Sequence, residues 1–166
     1  MTPSTGFAAA FIFLVTLAVL SDLSRLRIPN WISVALVALF FVFSATSPGK
    51  SPDVGLHALV AAAVFAVAFA MFASGWMGAG DVKLLTAVAL WAGPDKALAL
   101  LLIMSLTGAA LAVIIMAGTF YLDWNGSGRA PTMVSRIFPR WVRRGLTPYG
   151  FAIGVAALLT VPSGIL

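Results

Sequence analysis

The chain is built from apolar runs, near 6 to 23, 31 to 45, 54 to 75, 97 to 122 and 148 to 164, with a shorter one at 82 to 92. A helix needs about 20 such residues to cross the hydrocarbon of a bilayer, and uncharged runs of that length do not suit the surface of a soluble domain. Breakers separate them: Ile28-Pro29-Asn30, Ser47-Pro48-Gly49, Gly78-Ala79-Gly80, Gly93-Pro94-Asp95 and the polar stretch from Asp123 to Thr147. The pattern predicts an all-α polytopic membrane protein, one domain over residues 1–166 with six transmembrane helices, the fourth of them short. Composition agrees, because 61% apolar residues, 9% charged residues and a mean hydropathy of +1.07 lie far from soluble averages. The first run has no basic residue before it and no A-x-A-like site directly after it, so it reads as a retained helix and not as a cleavable signal.

Six spans make the loops alternate between faces, and the charges sort with them. Arg25, Arg27, Lys83, Arg129, Arg136, Arg140, Arg143 and Arg144 fall on one side, eight of the ten basic residues, against Lys50 and Lys96 on the other. The positive-inside rule then puts the arginine-rich loop in the cytoplasm and both the N and C termini outside. The net charge of +5 is thereby assigned to cytoplasmic loops and anionic lipid, and no nucleic-acid partner is expected. Trp31, Trp76, Trp91, Trp124 and Trp141 all fall at or beyond span ends, as an interfacial aromatic belt would have them.

The run from Val82 to Ala92 makes only about 16 Å of helix, roughly half the hydrocarbon thickness. Non-helical backbone at membrane depth is tolerated where it is buried or lines a wet cavity, so Gly78 to Asp81 is expected to border one. All five acids are aspartates. Asp53 and Asp95 sit beside prolines in short loops and Asp123 at a helix end, where turn and cap roles suffice. Asp22 and Asp81 directly abut apolar spans on the cytoplasmic side, and a carboxylate at that depth is a functional candidate. Metal chemistry finds no ligand set, since cysteine and glutamate are absent and the single histidine, His57, is expected near the outer end of helix three in a structural role. No cofactor is expected. A serine triad lacks a histidine on the right side. Two carboxylates sharing a proton can activate water and protonate a leaving amide nitrogen without further help, and adjacent glycines would let a peptide backbone approach. If Asp22 closes helix one and Asp81 opens helix four, the helix dipoles favour Asp81 as the ionised base and Asp22 as its protonated partner. A small proton-coupled transporter using the same two aspartates is the alternative, and a structural scaffold a third reading.

The stretch "SDLSRLRIPNWIS", with Asp22 ahead of Ile28-Pro29-Asn30, followed by "GAGDVKLL" and, at the start of helix six, "TPYGFAIG", resembles the type IV prepilin peptidases, membrane aspartyl proteases of the GxGD class. The resemblance implies Asp22 and Asp81 as the catalytic pair and Gly78 and Gly80 as the motif glycines. Pro29, Asn30, Lys83 and Tyr149 join them as candidate substrate-binding or site-shaping residues. It further implies a prepilin or pseudopilin precursor as substrate, whose basic leader is removed at the cytoplasmic face of the bacterial inner membrane, commonly after a glycine. The chain lacks the cysteine-rich insert that larger members carry after helix one. It is similar in this to the short, peptidase-only form of the Flp or tight-adherence pilus type, in which N-methylation of the product is not expected. Gly150 with Gly154, and Gly108 with Ala112, are expected to serve close helix packing.

Overall fold

The structure, a computed structural model, describes residues 3–25, 27–46, 52–124 and 149–165. Lys50 and the stretch carrying Arg129, Arg136, Arg140, Trp141, Arg143 and Arg144 lie outside the described residues. Every regular element among the described residues is a helix: α1 (Pro3–Arg25), α2 (Asn30–Thr46), α3 (Val54–Ala73), α4 (Ala79–Trp124), α5 (Tyr149–Thr160) and α6 (Pro162–Ile165). Among them Ser4–Arg25, Val54–Ala73 and Ala79–Ala117 are long and apolar enough to cross a membrane, and Asn30–Thr46 and Tyr149–Thr160 are shorter apolar helices. The two runs that the sequence assigns to helices four and five, 82 to 92 and 97 to 122, are two helical arms that meet at a kink within α4.

That element breaks at Gly93, whose φ of 60° and ψ of −169° are open to glycine alone at low cost. Pro94 then starts the second arm, where its missing N–H costs nothing. The break leaves the carbonyl of Leu90 without the amide that an ordinary residue 94 would supply. His57 takes its place, with Nδ1 2.7 Å from the Leu90 oxygen, and since a carbonyl only accepts, Nδ1 carries the proton. The imidazole stacks on Phe40 at 5.5 Å and lies so close to Gly93 that a side chain there would run into it. His57 is thus a structural residue holding the turn of α4.

The first arm is enclosed by its neighbours: Val82, Leu84, Leu85 and every residue from Ala87 to Ala92 are buried. α2, α3 and α5 pack against α4, and α1 packs against α2 and α5. A helix that is apolar all round belongs in such a position. The short span therefore has no mismatch with lipid to relieve, because protein surrounds it. Trp91 on this arm corrects the expectation of an interfacial ring. It is buried, its Nε1 donates to the Leu36 carbonyl at 2.9 Å, and its ring packs against Phe11, Phe40 and Phe43. A position at a span end says nothing about which way the side chain faces. Trp31 and Trp76 are exposed as expected. Outward faces carry Phe13, Val34, Leu59, Val67, Leu106 and Met116, all more than half exposed and suited to hydrocarbon.

Candidate active site

Gly78, Ala79, Gly80 and Asp81 form the start of α4. The Gly78 carbonyl accepts from the Val82 amide at 3.2 Å, so Gly78 is the residue that caps the helix and Asp81 the third within it. From that position a carboxylate reaches back toward the capping residue, and Asp81 Oδ2 lies against Gly78 in this way. Only the first of the two glycines is crowded: a methyl group on Gly78 would lie 2.9 Å from Asp81 Oδ2, while one on Gly80 would meet the backbone and Cβ of Ile28 at 3.4 to 3.6 Å, an ordinary van der Waals contact.

Asp22 stands in the last turn of α1 and is only 5% exposed. Burial of a carboxylate requires hydrogen-bond donors. One comes from the N-terminus of α5, where Phe151 N–H donates to Oδ2 at 3.2 Å, with Gly150 close against the same carboxylate. Asp81 approaches the same end of α5, and the two carboxylates are close enough to interact electrostatically. Gly150 can sit between them only without a side chain: a methyl group would lie 2.7 Å from Asp22 Oδ2 and 2.9 Å from Ile28 Cδ1. One turn further along α5, Gly154 packs directly on Val19 of α1, which fixes the approach of the two helices. The small-residue face of α5 is therefore a packing device at Gly154 and part of the site at Gly150.

These groups surround a cavity of about 310 Å³ lined by Asp22, Arg27, Ile28, Asn30, Gly78, Ala79, Gly80 and Asp81. Its rim is held by Ser21 Oγ, which donates to the Arg27 carbonyl at 2.7 Å, and by the burial of Ile28. Lys83, one turn along α4 from Gly80, donates through Nζ to Asn30 Oδ1 at 3.0 Å instead of pairing with an aspartate. Of the other residues singled out from sequence, Pro29 accepts from the Ile32 amide and starts α2 without lining the cavity. Tyr149 opens α5 half-buried and also stays off the lining, its neighbour Gly150 being the residue that meets the carboxylates. Arg27, Ile28, Gly150 and the Phe151 amide are additions that the sequence reading did not make.

The dipole contrast expected between the two aspartates is lost. Asp22 lies at the C-terminal end of α1 but accepts from the N-terminal amides of α5, so both carboxylates sit at the positive end of a helix. The remaining aspartates are elsewhere. Asp53 caps α3, its Oδ1 accepting from Leu56 N–H at 3.1 Å, and Asp95 lies past the break in α4 at the opposite end of the molecule; the side chain of Asp123 lies outside the described residues. Lys96 is at that opposite end too, donating to the Thr160 carbonyl at 3.1 Å, whereas Arg25, Arg27 and Lys83 are at the end that holds Asp22 and Asp81.

No curated protein and no solved structure matches the chain. Residues 9–113, which include both aspartates, match the type IV leader peptidase family. With a match over more than half its length, and with apolar helices to fit, the chain is a membrane protein that belongs to the type IV leader peptidase family.

Proposed function

We propose that the chain is an aspartic endopeptidase that removes the leader from prepilin or pseudopilin precursors, with Asp22 and Asp81 as its catalytic pair. The observation that carries this reading is that two carboxylates from distant parts of the chain meet beside one cavity, near enough to feel each other's charge, with the N-terminus of α5 donating to Asp22. Two acids held so closely share one proton more readily than they both ionise. The ionised member takes a proton from water as the water oxygen attacks the peptide carbonyl, and the protonated member donates to the carbonyl oxygen. Collapse of the tetrahedral intermediate delivers a proton to the amide nitrogen and breaks the C–N bond, leaving a carboxylate on the leader and an amine on the mature chain.

The chain acts as a single membrane-embedded domain with six crossings, counting the arms of α4 separately, and with both termini outside. Its reaction takes place at the cytoplasmic face of the inner membrane, where a basic leader is found. The basic residues Arg25, Arg27 and Lys83 at the carboxylate end support that orientation. A proton-coupled carrier would need a path past the first arm of α4, whose residues from Leu84 to Ala92 are buried apart from half-buried Thr86. Without a cysteine-rich insert the enzyme trims and does not methylate. Co-expression with a prepilin precursor tests the assignment: Asp22→Ala and Asp81→Ala abolish the mobility shift of leader removal, and Asp53→Ala and Asp95→Ala retain it. Processing by either of the first two variants overturns it.

A further inference from the structure

A second cavity, of about 510 Å³, lies where α2, α3 and α4 meet, with Asn30, Ser33, Val34 and Val37 on one wall, Phe65 on another and Lys83 at one end. Asn30 lines this cavity and the aspartate cavity alike, and the Lys83–Asn30 hydrogen bond lies at their junction. From there Asn30, Val34 and Ala38 follow one another at helical spacing, so the groove runs along α2 for about 12 Å away from the carboxylates. α2 and α3 both pack on α4 but hardly on each other, which leaves the groove open sideways between them. The rim residues Val34 and Phe65 are exposed and apolar.

One polar atom in this lining is unaccounted for. Ser33 Oγ is buried, Ser33 being 7% exposed, and it has no hydrogen-bond partner. Other helical serines of the chain, Ser24, Ser44, Ser74 and Ser105, donate to the carbonyl four residues back. For Ser33 that carbonyl belongs to Pro29, ahead of α2, where it accepts from the Ile32 amide and not from the Ser33 hydroxyl. A buried hydroxyl left unpaired costs free energy that a partner arriving in the groove would restore.

We propose that this groove seats the apolar segment of the substrate that follows the scissile bond, entering sideways from the bilayer between α2 and α3, with Ser33 Oγ hydrogen-bonded to a polar group of that segment. The proposal rests on the leader peptidase reading. A basic leader belongs in water beyond the carboxylates, so the part of the substrate that continues into the membrane along an apolar groove is the part after the cut. The groove's length accommodates about eight residues of a helix. Lys83 and Asn30 then stand between the seated segment and the aspartates and set where the peptide turns into the site.

The chain has no cysteine, so a single Val34→Cys reports on the groove without background. Oxidation of this variant in the presence of a prepilin precursor carrying one cysteine, scanned through the first two turns after its cleavage site, is expected to give a disulfide-linked adduct, and Leu106→Cys on the second arm of α4 is expected to give none. Ala38→Trp, which fills the groove, is expected to raise KM for the precursor by about tenfold or more while kcat stays within about twofold, the signature of lost ground-state binding. Ser33→Ala is expected to raise KM severalfold in the same way. Equal adducts at both cysteines, no adduct at Val34→Cys, or a loss in kcat with KM unchanged overturns the groove assignment while the wild-type chain still cuts. A wild-type chain that does not cut the precursor at all removes the leader peptidase reading, and the groove assignment falls with it.

Discussion

At Gly150 the demands of packing and chemistry meet in one residue, since it lies at the start of α5 beside the carboxylates and its missing side chain lets α5 approach Asp22. Gly150→Ala is therefore expected to leave the protein in the membrane and to lower leader cleavage roughly a hundredfold, in keeping with the cost of displacing a catalytic group by an ångström. Quantitative cleavage of a co-purified precursor checks this, and activity near wild type would show that the carboxylates do not need that approach. The pair also predicts a bell-shaped dependence of kcat/KM on pH, with both limbs belonging to the dyad and not to either residue. Asp22 and Asp81 were legible in the sequence because a carboxylate beside an apolar run is rare enough to stand out. Gly150 was visible only as a small residue in "TPYGFAIG". Its role depends on a contact spanning 129 residues, Phe151 to Asp22, which no local pattern encodes. For the same reason Asp22 reads from sequence only as the end of its own helix, while the helix that caps it lies 129 residues away.

Among the elements, α4 carries the most information about how the site is held. Its start positions Asp81, its first arm fills the centre, and its break at Gly93 is fastened by His57. Gly93→Ala meets both an unfavourable φ and the imidazole, so it is expected to lower thermal stability in detergent by about 1–3 kcal/mol or more. His57→Ala leaves the Leu90 carbonyl unpaired and is expected to cost about 1–3 kcal/mol, with activity per folded molecule retained because the ring lies at the far end from the aspartates. Loss of activity at unchanged stability would contradict the structural role. Asp53→Ala should cost about 1 kcal/mol as a lost N-cap. Helix positions were largely legible: 31 to 45 corresponds to Asn30–Thr46 and 54 to 75 to Val54–Ala73, since glycine, proline and apolar length dominate both. What hydropathy could not tell was burial. Lipid and protein interior are equally apolar, so Trp91 and the short arm around it read as membrane-facing although they form the core.

For the molecule as a whole, the described basic residues divide between two ends, Arg25, Arg27 and Lys83 with the aspartates and Lys96 opposite. The orientation proposed from this division predicts that an impermeant thiol reagent labels Asp95→Cys from outside, and labels Arg136→Cys only once the membrane is opened. The reverse pattern would separate the carboxylates from any cytoplasmic leader. Mass spectrometry of a processed pilin is expected to find the leader removed and the new N-terminus unmethylated by the purified protein alone. The proposed function requires that Asp22 and Asp81 act as one unit, and the cleavage rates of Asp22→Asn, Asp81→Asn and the double variant test it most directly. Asparagine keeps the shape of each side chain and removes its titration. Each single change is expected to reduce the rate roughly ten-thousandfold, and the double variant to be no slower than either, because partners in one proton-sharing pair do not lose activity additively. A single variant that keeps a tenth of the wild-type rate, or losses that multiply in the double variant, would contradict the dyad.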